Sequence, residues 1–113
     1  MPAAAHLGDL TTNTHGCNTS VAIDNSTHLT TNTALASGVT IDGIPAAVVG
    51  SKLADHTLDS GGSCVAHNGQ TVTQGSPSVF VNEKALAYQG ASVSCAGGKI
   101  TGAAGSVTVA GNE

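Results

Sequence analysis

Short stretches in which apolar and polar residues alternate recur along the chain. They are residues 39–43, 79–83 and 107–111, and small residues precede each of them. Alternation with a period of two is typical of half-buried β-strands. In the first stretch the apolar residues lead into Asp42 and Gly43, a pair that favours the type I′ turn of a two-residue β-hairpin. The pattern therefore predicts an all-β fold of short hairpins. The weak helical pattern at residues 84–89 is the best candidate for a helix.

An alanine-rich return arm accompanies each alternating stretch. Residues 44–50 follow the first stretch and residues 84–90 follow the second. The sequence stops after the third stretch, whereas residues 1–8 form such an arm with no strand before it. We therefore expect the third hairpin to be divided between both ends of the chain, with residues 107–111 beside residues 2–7. Three hairpins that cannot bury their own faces predict a compact body with pseudo-threefold symmetry.

The composition limits the core and the classes of partner. The 113 residues are expected to form one domain, residues 1–113, with no fused effector domain. Aromatic residues make up only 2%, so the core must consist of Val, Ile, Ala and Leu, and a metal cross-link would supplement it. A net charge of −4 with 3 Lys and Arg argues against nucleic acid as a partner. No apolar run is long enough for a membrane span, and we expect no secretory signal. Three cysteines favour assembly in a reducing compartment with at least one cysteine as a metal ligand.

Two histidines and a cysteine are the candidate chemistry. His56 and His67 stand at the two ends of a loop-like segment without apolar periodicity. Cys95 lies in a second loop-like segment, which is rich in glycine. Imidazole nitrogens and a thiolate are the donors that a tetrahedral zinc site needs. A closed four-ligand site leaves no position for a reactive water, and no residues form a nucleophile, base and oxyanion-hole arrangement. We therefore predict a structural zinc and no enzyme activity. A zinc-dependent hydrolase and a free-standing β-rich binding module are the alternatives.

Several segments together resemble the PAAR-repeat family. They are Pro-Ala-Ala-Ala-His-Leu-Gly-Asp at residues 2–9, Pro-Ala-Ala-Val-Val-Gly at 45–50, Gly-Ser-Pro-Ser-Val-Phe-Val-Asn at 75–82 and Ser-Cys-Ala-Gly-Gly at 94–98. The resemblance covers essentially the whole chain. The chain departs from the family pattern at three kinds of position. His6, Val48 and Tyr88 stand where arginine is usual. Ala85 replaces the usual proline of the third copy, and Ser51 replaces the usual Asp of the second copy.

The resemblance implies a small cone-shaped tip protein with pseudo-threefold symmetry and long loops. It implies that one chain caps and sharpens one trimeric β-helical spike of a contractile injection machine, either a type VI secretion system or a phage tail. It also implies transient contact with a target membrane during piercing, and effectors linked to the spike. The chain would be assembled in the bacterial cytoplasm and carried outward at the tip of the machine. The zinc ion would lie near the apex of the cone, bound by three histidines and one cysteine.

The position of each candidate ligand within the repeat suggests which residues bind the zinc. His28, His67 and Cys95 lie eleven or twelve positions before the first valine of the next alternating stretch, which would make them equivalent. His56 is the best fourth ligand, because its long segment can fold back on itself. His15 is the rival for the place of His28 or His56, and the sequence leaves that choice open.

The other polar candidates are assigned structural roles. Cys17 and Cys64 are predicted to be small buried or half-buried residues. His6 is predicted to be a surface or interface residue. The aspartates at positions 9, 24, 42, 55 and 59 are predicted to cap or bend the backbone in turns.

Overall fold

Short antiparallel strands are the main regular elements of this computed structural model. It describes residues 3–12, 20–67, 69–94, 98–102 and 107, with only the backbone at residues 20, 58–60 and 67. The elements are β1 (Leu10–Thr12), β2 (Ser20–Ala22), α1 (Leu29–Ala36), β3 (Thr40–Ile41), β4 (Ile44–Pro45), β5 (His56–Ser60), β6 (Ser63–His67), β7 (Phe80–Val81), β8 (Lys84–Ala85) and β9 (Lys99–Ile100). β1 pairs with β2 and β9, while β3 with β4, β5 with β6 and β7 with β8 form hairpins. The β-rich architecture predicted from the alternation is confirmed.

The two predicted hairpins that lie within the described residues share one turn geometry. Asp42 and Gly43 join β3 to β4 with φ of 53° and 80°. Asn82 and Glu83 join β7 to β8 with φ of 51° and 68°. Positive φ at both turn residues is the requirement of a type I′ turn, whose twist matches that of the flanking strands.

One backbone hydrogen bond shows that the third hairpin is divided as predicted. In each of the three hairpins, the N–H of a return-arm residue donates to the carbonyl of the first valine. The pairs are Ala46 to Val39 (3.0 Å), Leu86 to Val79 (3.0 Å) and Ala4 to Val107 (2.8 Å). The division of the third hairpin is therefore confirmed at Val107. Val109 and the rest of that predicted strand lie outside the described residues.

The three return arms close a ring around the pseudo-threefold axis. Ala5 donates its N–H to Ala87 (3.0 Å), Ala87 donates to Ala47 (2.9 Å), and Ala47 donates back to Ala5 (3.0 Å). All three alanines have 0% exposure. The predicted pseudo-threefold symmetry is thus built into a cyclic set of backbone hydrogen bonds.

A second layer repeats the symmetry above this ring. Each arm ends in a glycine at φ of 88°, 99° or 96°, a conformation that side chains disfavour. The N–H of each glycine donates to a buried apolar residue of the next layer. The pairs are Gly8 to Ile23 (2.8 Å), Gly50 to Val72 (2.9 Å) and Gly90 to Ile100 (2.8 Å). These bonds establish Ile23, Val72 and Ile100 as structural equivalents.

Helix α1 contradicts the sequence prediction, which placed the weak helical candidate at residues 84–89. Those residues form β8 and an extended arm instead. The α1 sequence is rich in threonine, and short helices of low propensity depend on tertiary contacts. The Asp24 carboxylate accepts the N–H of His28 (3.0 Å) in the turn before the helix, and Ser37 ends the helix at φ 50°.

Buried Asn32 ties α1 to the second layer. Its side-chain amide donates to the carbonyls of Asp24 (2.8 Å) and Lys52 (3.1 Å), and its carbonyl accepts the N–H of Lys52 (2.8 Å). These long-range bonds cannot be recognised from the local pattern, so the helix was missed.

The core consists mainly of small aliphatic residues, as the composition predicts. Its buried members are Ala4, Ala5, Leu7, Val21, Ile23, Ala36, Ile41, Ala46, Ala47, Val48, Leu53, Val72, Val81, Leu86, Ala87, Tyr88, Ala91, Val93 and Ile100. Val107 packs against this cluster. In the part of the chain that the structure describes, no helix has the length and apolar character needed to cross a membrane.

Candidate functional site

Four of the five candidate zinc ligands belong, by sequence position, to three connections whose flanking segments lie at one end of the repeat. We call this end the loop end. The first connection joins β1 to β2 through residues 13–19, the second is the hairpin of β5 and β6, and the third contains residues 95–97. The segments that lead into and out of the three connections pair in the same way. These pairs are Thr11 with Val21, Leu53 with Gln70 and Val93 with Gly98.

The second connection is a β-hairpin, so the prediction of a loop between His56 and His67 is wrong. β5 and β6 pair in a register that sets His56 opposite His67. Gly61 and Gly62 form the turn with φ of 65° and 90°. A Gly-Gly pair is a known hairpin signal and could have revealed this element. The register brings the two histidine positions together, as the zinc prediction requires.

The ring of His56 is oriented by the backbone. Its Nδ1 lies 2.8 Å from the carbonyl oxygen of Ala54 and donates to it, which places the acceptor lone pair on Nε2. Histidines that bind metals commonly donate their other ring N–H to a carbonyl in this way. This bond and the donor set of imidazoles and thiolate fit a zinc ion.

His28 lies beside the start of β5, with its ring facing two carboxylates. Its Nε2 is 3.3 Å from an Asp55 oxygen and 3.8 Å from an Asp24 oxygen. Asp55 is the residue before His56, so the structure brings His28 close to the second connection.

The repeat register predicted for His28 is wrong. His67 and Cys95 each precede their second-layer residue, Val72 or Ile100, by five positions, whereas His28 follows Ile23 by five. The cause is α1, because Ile23 and Val39 are 16 positions apart whereas the corresponding residues of the other repeats are seven apart. His28 therefore has no counterpart in the other two repeats. Whether it binds metal is a separate prediction.

Two buried aspartates carry opposite pKa shifts. Burial alone would raise the pKa of Asp24, but hydrogen bonds from Ser26 and His28 and the nearby His28 charge hold it below its usual value. For Asp9 burial prevails and raises the pKa, although the N–H and charge of His6 act in the opposite direction. His6 is half-buried, with Nδ1 3.5 Å from Asp9. The Asp9 contacts hold the turn at Gly8 between the ring and the second layer, and the Asp24 contacts hold the turn that leads into α1.

The environment of Cys64 differs from the prediction. Cys64 was predicted to be buried or half-buried, but it is exposed on β6 and disulfide-bonded. Among the described residues, β5 and β6 pair only with each other, so no further strand of their sheet covers this position. His15, Cys17 and Cys95 lie outside the described residues, as does the side chain of His67. Among the residues that are described, no three His, Cys, Asp or Glu residues form a group that could hold a metal. The zinc site thus stays a prediction.

The opposite end of the repeat, which we call the hairpin end, exposes apolar side chains. It comprises β3 with β4, β7 with β8, and Val107 with the arm that contains Ala4. Phe80 is 58% exposed, Val39 43% and Ile44 37%. The prediction that strand valines and isoleucines point inward holds for Ile41 and Val81 and fails for Val39. Alternation sets Phe80 on the opposite face from Val81, so its exposure could have been read from the sequence.

Comparison with protein families identifies the fold. The model of the PAAR motif matches residues 22–97, which is well over half of the chain. The chain belongs to the PAAR family. PAAR proteins are structural spike-tip proteins of type VI secretion and related contractile systems, so a spike-tip role follows in general terms. A comparison with curated proteins found no match.

Proposed function

We propose that the chain caps the end of one trimeric β-helical spike and gives that spike its point. The closed ring of Ala5, Ala47 and Ala87 is the observation that carries this proposal. It lets a single chain present three similar units around one axis, which matches the symmetry of a trimer.

The hairpin end is the face that would meet the spike. The three hairpins repeat the same hydrogen bond, and the two whose turns are described have turns of equal length. The three connections of the loop end differ in length, since the paired residues Thr11 and Val21 are ten positions apart, Leu53 and Gln70 are 17 apart, and Val93 and Gly98 are five apart. A threefold partner requires threefold surface features, which the hairpin end has. The loop end would therefore point away from the spike and form its tip. Val65 is exposed at the loop end as well, but Phe80, the most exposed large apolar side chain among the described residues, lies at the hairpin end and supports an interaction there.

A zinc ion would cross-link the three unequal connections of the loop end. We assign it to His56 and His67 from the second connection, Cys95 from the third and His15 from the first. His15 takes precedence over His28 because residues 13–19 form the connection equivalent to the other two. A site that exists only in the folded chain would add its binding free energy to folding. A stiffened end of this kind would withstand transient contact with a target membrane.

The capping proposal is tested by mixing the chain with the purified trimeric spike of the contractile machine from the same organism. Native mass spectrometry should show one chain per spike trimer. Light scattering of the chain alone should show a monomer. A stable homotrimer of the chain would contradict the proposal, because three caps cannot share one spike end.

The zinc proposal is tested by elemental analysis of the reduced protein, which should contain one zinc per chain. His15→Ala should lose the zinc and His28→Ala should keep it. The reverse result would assign the first ligand to His28. A zinc that keeps an exchangeable water would instead favour the hydrolase alternative.

A further inference from the structure

The two described hairpins of the hairpin end share a backbone but differ in side chains. Equivalent positions carry Thr40 and Phe80 in the strands, Gly43 and Glu83 in the turns, and Ile44 and Lys84 after the turns. The hairpin of β7 and β8 therefore displays an aromatic ring and a carboxylate where the hairpin of β3 and β4 has a hydroxyl and no side chain.

Phe80 has the most exposed large apolar side chain among the described residues. Its cross-strand partner is the small Ala85, while the next residue, Val81, is only 8% exposed and anchors the strand in the core. An aromatic side chain left in water on a rigid hairpin is the type of residue that dominates binding energy at interfaces. Thr40, with the same backbone register, offers no such anchor.

Glu83 occupies a backbone conformation that is unfavourable for its type. Its φ is 68°, and the equivalent Gly43 adopts 80° without a Cβ. A residue other than glycine kept in this region costs stability, and such strain is a reason to look for function. With glutamate instead of glycine at this position, the turn carries an exposed carboxylate three positions after Phe80.

We propose that the hairpin of β7 and β8 is the specificity element of the cap, a proposal that rests on the spike-capping function. Phe80 enters an apolar pocket on one spike subunit, and Glu83 faces a cationic group at the rim of that pocket. The spike offers three identical pockets and the cap has Phe80 once. The cap therefore docks in three equivalent orientations, and each orientation uses one pocket.

The test measures binding of the purified spike trimer to four forms of the chain: the wild type, Phe80→Ser, Thr40→Ser and Glu83→Gly. Phe80→Ser should weaken binding at least about tenfold, as truncation of an interface anchor does. Thr40→Ser changes the matched position of the other hairpin and should leave binding unchanged. Glu83→Gly should weaken binding and reduce its dependence on salt, while its melting temperature stays equal to the wild type or rises.

A photoreactive phenylalanine analogue at position 80 gives an independent measurement. It should cross-link to a single spike subunit in each complex, and the same analogue at position 40 should cross-link far less. Equal loss of binding in Phe80→Ser and Thr40→Ser, or cross-linking from position 40 alone, would overturn the assignment of the specificity hairpin. Failure of the wild-type chain to bind the spike would instead refute the capping function itself.

Discussion

The hairpin end and the loop end are built on the same three arms, yet only the hairpin end keeps the symmetry. At the hairpin end the same hydrogen bond recurs in each unit, from Ala46 to Val39, from Leu86 to Val79 and from Ala4 to Val107. At the loop end the three connections differ in length, and one of them is the long hairpin of β5 and β6. Symmetry is thus retained where a trimeric partner would impose it. It is lost where a single metal ion would need four ligands from three connections.

The loop end should give the largest response, because its stability would depend on the proposed zinc. Chelation of the reduced protein should lower the free energy of unfolding by about 3 to 4 kcal/mol, the linkage expected when free zinc exceeds its Kd by about a hundredfold to a thousandfold. Urea unfolding with and without chelator measures it. Cys95→Ser should lose the response, and Cys17→Ser should keep it. An undiminished response in Cys95→Ser would remove that residue from the site.

The second largest loss of stability is expected from substitutions in the ring of Ala5, Ala47 and Ala87, because the ring has no room for a larger side chain. Ala47→Leu adds volume at a position with 0% exposure and should destabilise the fold by about 3 kcal/mol. Ala34→Leu makes the same change at an exposed position of α1 and should stay within about 0.5 kcal/mol of the wild type. Thermal and urea unfolding compare the two variants. Similar losses would mean that the ring is looser than its hydrogen bonds indicate.

Helix α1 occurs in one repeat and so breaks the threefold symmetry between the hairpin end and the loop end. Its attachment to the rest of the fold can be tested at Asn32. Asn32→Ala removes three hydrogen bonds and leaves the Asp24 carbonyl and the Lys52 N–H without the side-chain partner, which should cost about 2 kcal/mol, while the Lys52 carbonyl still accepts the Asp24 N–H. Thr31→Ala, at an exposed position of the same helix, is the control and should be nearly neutral. Circular dichroism and urea unfolding of both variants decide the matter. A neutral Asn32→Ala would show that α1 is held by apolar packing instead.

The carboxylate of Asp24 should give a smaller, pH-dependent effect. Its folded pKa lies below the unfolded value of about 3.9, so its ionised form stabilises the fold above about pH 4, and this stabilisation is lost as the pH falls through the folded pKa. Asp24→Asn should therefore be less stable than the wild type at pH 7 by about 1 kcal/mol. The difference should shrink below about pH 4. A gap that stays constant from neutral to acidic pH would contradict the role of the charge.

The smallest effect is expected from moving the chain ends to an equivalent turn. A circular permutant that joins Glu113 to Met1 and opens between Asp42 and Gly43 divides the first hairpin as the third hairpin is divided now. It should keep the fold to within about 1 kcal/mol. A permutant opened between Ala47 and Val48 breaks the ring and should not fold. Circular dichroism of both forms would show whether the hairpins are interchangeable.

Much of the symmetric part could be predicted from the sequence, because its pattern is local and repeated. The alternating stretches, the Asp42 and Gly43 turn and the division of the third hairpin follow from residue order alone. The asymmetric part depends on contacts between distant segments. Helix α1 needs Asn32 against Lys52, and without that helix the spacing of His28 was misread. The hairpin of β5 and β6 was predicted as a loop although Gly61 and Gly62 indicated its turn.

The bond between Ala4 and Val107 also has a consequence for biosynthesis. It joins two segments that are about a hundred positions apart in the sequence. The arm that contains Ala4 therefore cannot pair with its strand until residue 107 has left the ribosome. Contacts of such high sequence separation form late and slow folding. A nascent chain interrupted before that point would lack the strand partner of its first arm and the packing of Val107 against the core. Incomplete translation products should therefore be recognised by chaperones or proteases and fail to reach the assembling machine.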